Sequence, residues 1–170
     1  MKITFAFPVL FLIALSLSCQ SCAPYDPYAA AVPDVHTIKS DFDRVVIVRL
    51  KNGTDLLEGL RRAVEKENIK NAVILCGIGS VTDYHVHVPV NRTFPLQDAF
   101  IKDDTPEDLI AVNGYVVDGR VHCHITFSDE KRALGGHLEP ETKAFTFAII
   151  TLGVLREPVD LKRIDDYTWR

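Results

Sequence analysis

From Gly119 to His137 the chain is patterned for one piece of geometry, an antiparallel hairpin. The stretch Gly119-Arg-Val-His-Cys-His-Ile-Thr-Phe-Ser128 alternates along its length. In an extended strand alternate side chains share a face, so His122 and His124 point one way and Cys123 the other. Asp129-Glu-Lys-Arg132 has the length of a four-residue hairpin loop. With that loop, Ser128 opposes Ala133 and, counting outward, His124 opposes His137, which follows Gly135-Gly136. Directly opposed residues on one face have Cβ atoms about 4.5–5.5 Å apart. The pattern therefore predicts three imidazoles, His122, His124 and His137, on one patch. Three neutral imidazoles plus a solvent molecule form an open divalent metal site; zinc is the first choice, with nickel, copper or iron as alternatives. Asp118, Asp129 and Glu139 are candidates to orient the rings.

The rest of the chain reads as strands around one helix. Arg44–Leu50 is rich in β-branched residues and ends at the turn Lys51-Asn-Gly53. Thr54 or Asp55 then caps a helix in which Leu56, Leu57, Leu60, Ala63 and Val64 recur at spacings of three and four. Asn71–Cys76 is a second, more buried strand, and Gly77-Ile-Gly79 reads as a tight turn at its end. The next strand, Val81–Val88, carries His85 and His87 on one face. Their pattern favours a polar solvent-facing or subunit-contact edge over a second metal site. Pro89–Thr105 reads as an irregular loop holding Phe94, Leu96 and Phe100. Leu109–Val117 joins the histidine strand through the two-residue turn Asp118-Gly119. Ala144–Leu152 is nearly continuous apolar sequence, expected to be central and buried. Cys76 and Cys123 read as buried thiols packing as small hydrophobes.

Gly77-Ile-Gly-Ser80, Glu107-Asp-Leu-Ile-Ala-Val-Asn-Gly114, the His-x-His strand and the Gly-Gly-His-Leu turn occur in that order. This ordered set resembles the plant and prokaryote conserved (PPC) domain, also described as a PD1-like DNA-binding motif, over roughly Arg44 to Leu155. The resemblance implies a compact α+β domain: a largely antiparallel sheet with one main amphipathic helix packed on it, assembled as a homotrimer. It also implies, for stand-alone prokaryotic members, a metal held at the positions of His122, His124 and His137. The chain departs from the family at Ile149, which aligns with a glutamate usual in the last strand. The resemblance therefore implies no chemistry that needs that carboxylate.

The N-terminus is a different kind of sequence. Met1-Lys2 precedes an apolar run from Ile3 to Leu17, ending in Ser-Cys-Gln-Ser-Cys-Ala. A basic start, a short hydrophobic region and small residues form a secretory signal. The run is shorter than the roughly 20 residues a spanning helix needs. Leu15-Ser-Leu-Ser-Cys19 also resembles a lipoprotein signal with Cys19 as the lipidated residue. Cys19-x-x-Cys22 sits at that boundary without a folded scaffold, so it is not read as a redox pair. The expected organisation is a signal over 1–19, a tether over 20–40, the domain over 41–158 and a tail over 159–170. The tail would dock as a helix or a strand. Location in the cell envelope follows, periplasmic or lipid-anchored, with membrane contact only through the signal or lipid.

Charge bears on partners. The chain carries 19 basic and 23 acidic residues, net −4. A net negative chain is a poor polyanion binder unless its basic residues cluster. Arg61-Arg62 and Lys131-Arg132 are the densest points, and no Arg-Gly-Arg-Pro AT-hook occurs. The leading reading is an exported trimeric module that binds a metal in a binding or structural role, its small-molecule ligand unknown. The alternatives are a DNA-binding regulator, as the family label suggests, and a metal-assisted hydrolase. Enzymatic activity stays open, because no Ser-His-Asp or Cys-His set accompanies the histidines.

Overall fold

Alternation repeated strand after strand builds a single antiparallel sheet in the computed structural model, which describes residues 32–166 and 168. Its strands are β1 (Phe42–Lys51), β2 (Ala72–Thr82), β3 (Tyr84–Pro89), β4 (Asp98–Asp103), β5 (Glu107–Val117), β6 (Arg120–Ser128), β7 (Ala133–Leu138) and β8 (Lys143–Leu155). Helix α1 (Leu56–Lys66) lies between β1 and β2 in the chain. The spatial order is β1-β8-β2-β5-β6-β7-β3-β4. This is the expected α+β fold. The signal segment, with Cys19 and Cys22, lies outside the described residues. Among those described, no helix is long and apolar enough to cross a membrane.

The helix starts where the capping chemistry places it. Asp55, extended at φ −60° and ψ 126°, accepts a hydrogen bond from the Glu58 amide at 2.9 Å. Its other oxygen accepts from the Glu141 amide at 2.6 Å, tying the helix start to the β7–β8 connection. Leu56, Leu57, Leu60 and Val64 are buried against Val48, Leu50, Val112, Ile125, Ile150 and Leu152. Burying one such side chain is worth about 1.5–3 kcal/mol. That apolar stripe holds the helix to one face of the sheet.

Among the described residues the opposite face carries no helix. Ile47 on β1 and Ile78 on β2 are 70% and 55% exposed there, and Phe147 on β8 also reaches solvent. One corner is covered by a smaller cluster of Val117, Leu155 and Leu161 packed with Ile38, Val73 and Val159. Leu161 of the tail docks there, and a turn at Lys162–Asp165 follows it.

Three local expectations are corrected. Gly77-Ile-Gly79 is not a turn: β2 continues to Thr82, and the chain reverses at Asp83, whose φ is 50°. Gly79 serves close approach instead, since a Cβ there would lie 2.3 Å from the Phe147 carbonyl oxygen on β8. The segment after Pro89 is not all loop. Asp98–Asp103 forms edge strand β4, pairing with β3, and its charged ends masked the short alternation of Ala99 and Ile101. Cys76 is exposed, not buried, because a bulge between Ile74 and Cys76 shifts the face on which the strand's side chains fall. Cys123 is 1% exposed, as expected, and burial pushes its thiol up to about 12.

Glu107, at the start of β5, is 4% exposed and neither carboxylate oxygen has a hydrogen-bond partner. Burial, with Asp129 adding, raises its pKa, while Arg132 opposes. A raised acid pKa gives stability that is full below about 4.5 and is lost as pH rises through the folded value. Replacing Glu107 with Gln removes the ionisation. We expect Glu107→Gln to raise denaturant stability at pH 7 by about 1–2 kcal/mol, with no gain at pH 4. A loss at pH 7 would show that the carboxylate has a stabilising partner.

Candidate metal centre

Three adjacent strands place a row of imidazoles across the open face. In register, His124 on β6 opposes His137 on β7, and His137 opposes His87 on β3. His122, two residues back along β6, shares their face. The hairpin register read from the Asp129–Arg132 loop holds throughout, from Ser128↔Ala133 to His124↔His137. Gly136 makes the β3 side possible: a Cβ there would sit 2.6 Å from the His87 carbonyl oxygen. A side chain would push β3 away and with it the third strand of the patch.

The three expected ligands come together. Ring centroids are 5.6 Å apart for His122–His124, 5.1 Å for His124–His137 and 4.8 Å for His122–His137. One nitrogen from each lies within 4.8 Å of the others. Zinc–nitrogen bonds of about 2.0–2.1 Å in a tetrahedral site put donors about 3.3–3.4 Å apart, so ring rotations that bring the three nitrogens closer complete the set. The residues fit a divalent cation, and the open side of the sheet leaves room for a solvent ligand.

Electrostatics prepares the rings for that role. Burial, then the charges of His122, His87 and His124, pushes the His137 pKa down to about 4, against a smaller opposite pull from Glu139. Burial, followed by His122 and His87, also lowers His124. Both shifts favour the neutral ring, the form that ligates a metal.

The orienting carboxylates differ from those expected. Asp129 closes the hairpin loop, accepting from the Lys131 and Arg132 amides at 2.7 and 2.8 Å. Asp118 lies in the β5–β6 turn, where its amide donates to the Asn71 side chain. Glu139 does hold a ring, but it is His87, whose Nδ1 lies 2.6 Å from its Oε1. For His122 the partner is Asp165, 2.9 Å from Nδ1 and 43 residues away in the tail. A carboxylate only accepts, so both rings carry their proton on Nδ1 and present Nε2. Asp165 had no sequence signal, because only the docking of Leu161 brings it to β6. His87 had half a signal: its face was legible, but not that β3 would pair with β7.

Beside the histidines lies a cavity of about 410 Å³ lined by Asn113, Tyr115, Val117, His122, His124 and Ile164. Ile149 is on β8, separated from the histidine strands by β2 and β5.

The model of the Plants and Prokaryotes Conserved (PCC) domain matches residues 38–156. A PPC protein from Pyrococcus horikoshii superposes with a TM-score of 0.60 at 26% identity, covering 72% of this chain and 85% of that one. A protein from Archaeoglobus fulgidus described as metal-containing shares the fold, with a TM-score of 0.59 at 17% identity over 71% and 86% of the two chains. The bifunctional protein GlmU of Synechococcus sp. is 26% identical over 127 residues, 74% of this chain. The chain spans only 20% of that protein's length.

The depressed His137 pKa gives a signed expectation. A lowered folded-state value means stability is present above about 6.5 and is lost as pH falls toward 4. In the metal-free protein, NMR titration should find the His137 ring neutral at pH 5.5. His137→Asn should flatten the stability loss between pH 6.5 and 4. A His137 ring titrating near 6.5 would mean the patch is more open to solvent than described.

Proposed function

The chain belongs to the Plants and Prokaryotes Conserved domain family, and on that premise we propose that it is an exported homotrimeric module holding one divalent cation, zinc first, through His122, His124 and His137. The observation that carries this reading is the convergence of three imidazoles from two paired strands, two of them shifted toward the neutral form by their surroundings. Asp165 orients His122 from behind, the usual way a ligating ring is fixed. The adjacent cavity gives an incoming molecule access to the cation's open side. Its walls, Tyr115, Val117 and Ile164 among them, suit a ligand with an apolar body and an oxygen or nitrogen donor at one end. A binding or structural role fits better than hydrolysis, since among the described residues no free general base stands at that cavity: Asp165 is engaged with His122.

Trimer formation is supported by the uncovered sheet face. Ile47 and Ile78 on the outer side of β1 and β2 are large apolar residues in water, an arrangement that marks a contact surface. Export and residence in the cell envelope rest on the basic-then-apolar N-terminus ending in small residues and cysteine. The same location and the net charge of −4 weigh against a DNA-binding role.

Zinc added to the metal-free chain should bind at one equivalent per chain by calorimetry and elemental analysis. Alanine at His122, His124 or His137 should weaken it by far more than tenfold. Asp165→Asn should weaken it by about 10–100-fold, the range for loss of an orienting partner. His85→Ala and Cys123→Ser should leave it nearly unchanged. Equal binding by all of these variants would remove the site. Light scattering should give a trimer mass, and Ile47→Asp should lower it without loss of secondary structure; a monomeric parent chain would overturn the assembly. Tight, sequence-selective binding of duplex DNA at physiological salt would favour the regulatory reading instead.

A further inference from the structure

His137 faces two donor sets, not one. On the side away from β6 it is opposed by His87, with ring centroids 4.5 Å apart and planes 26° from parallel. Glu139 lies two residues further on, and its amide continues the pairing with β3 by donating to the His85 carbonyl at 3.0 Å. That places its carboxylate on the same face, 2.6 Å from His87 Nδ1. One ligand atom from each of His87, His137 and Glu139 lies within 4.8 Å of the others, the bound that the first set also meets. We propose that these three residues form a second cation position, built around His137, so that the two positions are filled one at a time.

Exclusivity follows from the chemistry of the shared ring. A neutral imidazole carries a proton on one nitrogen and a lone pair on the other, so it ligates one ion. Holding two would require removing that last proton. The second position is also chemically distinct. Two nitrogens and a carboxylate oxygen make a harder donor set than three nitrogens, one that accepts zinc and also suits manganese. Its carboxylate is available: among the described residues Glu139 forms no ion pair with a lysine or arginine, and Lys102 is engaged with Glu141 at 2.6 Å. The His87 and Glu139 side chains are about a fifth exposed, at 22% and 23%, so an ion reaches them from solvent. Phe100 on β4 packs against His87 at 5.4 Å and walls the position on its outer side. Binding there exchanges the His87–Glu139 hydrogen bond for bonds to the cation, which makes this the weaker position in the parent chain.

The donor set needs neither His122 nor His124, which makes the inference separable from the first site. The test is zinc titration of the whole metal-free chain by calorimetry, with cobalt absorption spectra as a second readout. The parent chain is expected to take one equivalent, and His87→Ala or Glu139→Gln alone to leave it tight. The His122→Ala, His124→Ala double variant should keep one equivalent at least tenfold weaker. Adding His87→Ala or Glu139→Gln to it should abolish that binding. His124→Asn alone, a milder change, should show the same weak, Glu139-dependent binding if the double variant does not fold. A folded double variant that binds no zinc, or whose binding survives Glu139→Gln, would overturn the proposal; Glu139 would then serve only to orient His87. Two equivalents on the parent chain would overturn the sharing of His137. If the parent's zinc is instead lost on changing His87 and not on changing His122 or His124, the first site fails and this one stands.

Discussion

A sheet has two faces, and among the described residues a helix covers only one of them. Most of what the structure does follows from that asymmetry. On the helix side, the inward residues of the central strands meet Leu56, Leu57, Leu60 and Val64 and form the main core. On the other side the same strands present aliphatic residues at one end and histidines at the other. The period of two that buries Val112, Cys123 and Ile125 sends Asn113, His122 and His124 outward. The core and the site are therefore two readings of one alternation. A one-residue slip in β6 would bury the imidazoles and expose Ile125 and Phe127, so the hydrophobic core enforces the register that the site requires.

Close backbone approach is the second element of the arrangement. At Gly79 the sheet brings β8 against β2, and at Gly136 it brings β3 against β7, each too near for a Cβ. The first holds the long strands together. The second is local to the site, because it lets His87 stand directly opposite His137. The glycine pair before His137 thus serves strand contact on both sides, with Gly135 meeting the β6 backbone in the same way.

The patch is assembled from parts of different sequence range. His122, His124 and His137 belong to one hairpin and come together through local geometry. His87 arrives through the pairing of β3 with β7, and Asp165 through a tail anchored by Leu161. Local parts provide the ligands; distant parts orient them and add a second donor set. Burial, and then the positive charge each neighbouring imidazole would add, shifts His124 and His137 toward the neutral form.

Much of this was legible in the sequence. The β6–β7 register, the Asp118-Gly119 turn, the helix and its cap, the burial of Cys123 and the grouping of three histidines all depend on contacts across a few residues. Alternation, helical spacing and turn length encode such contacts directly. What the tertiary structure alone decided is which distant strands become neighbours. That choice made Gly79 a point of contact instead of a turn, turned Asp98–Asp103 into an edge strand, exposed Cys76 through a bulge, and put His87, Glu139 and Asp165 around the hairpin's ligands. Long-range pairing is settled by the burial of whole faces against one another, a sum over many residues that no short stretch of sequence carries in its own pattern.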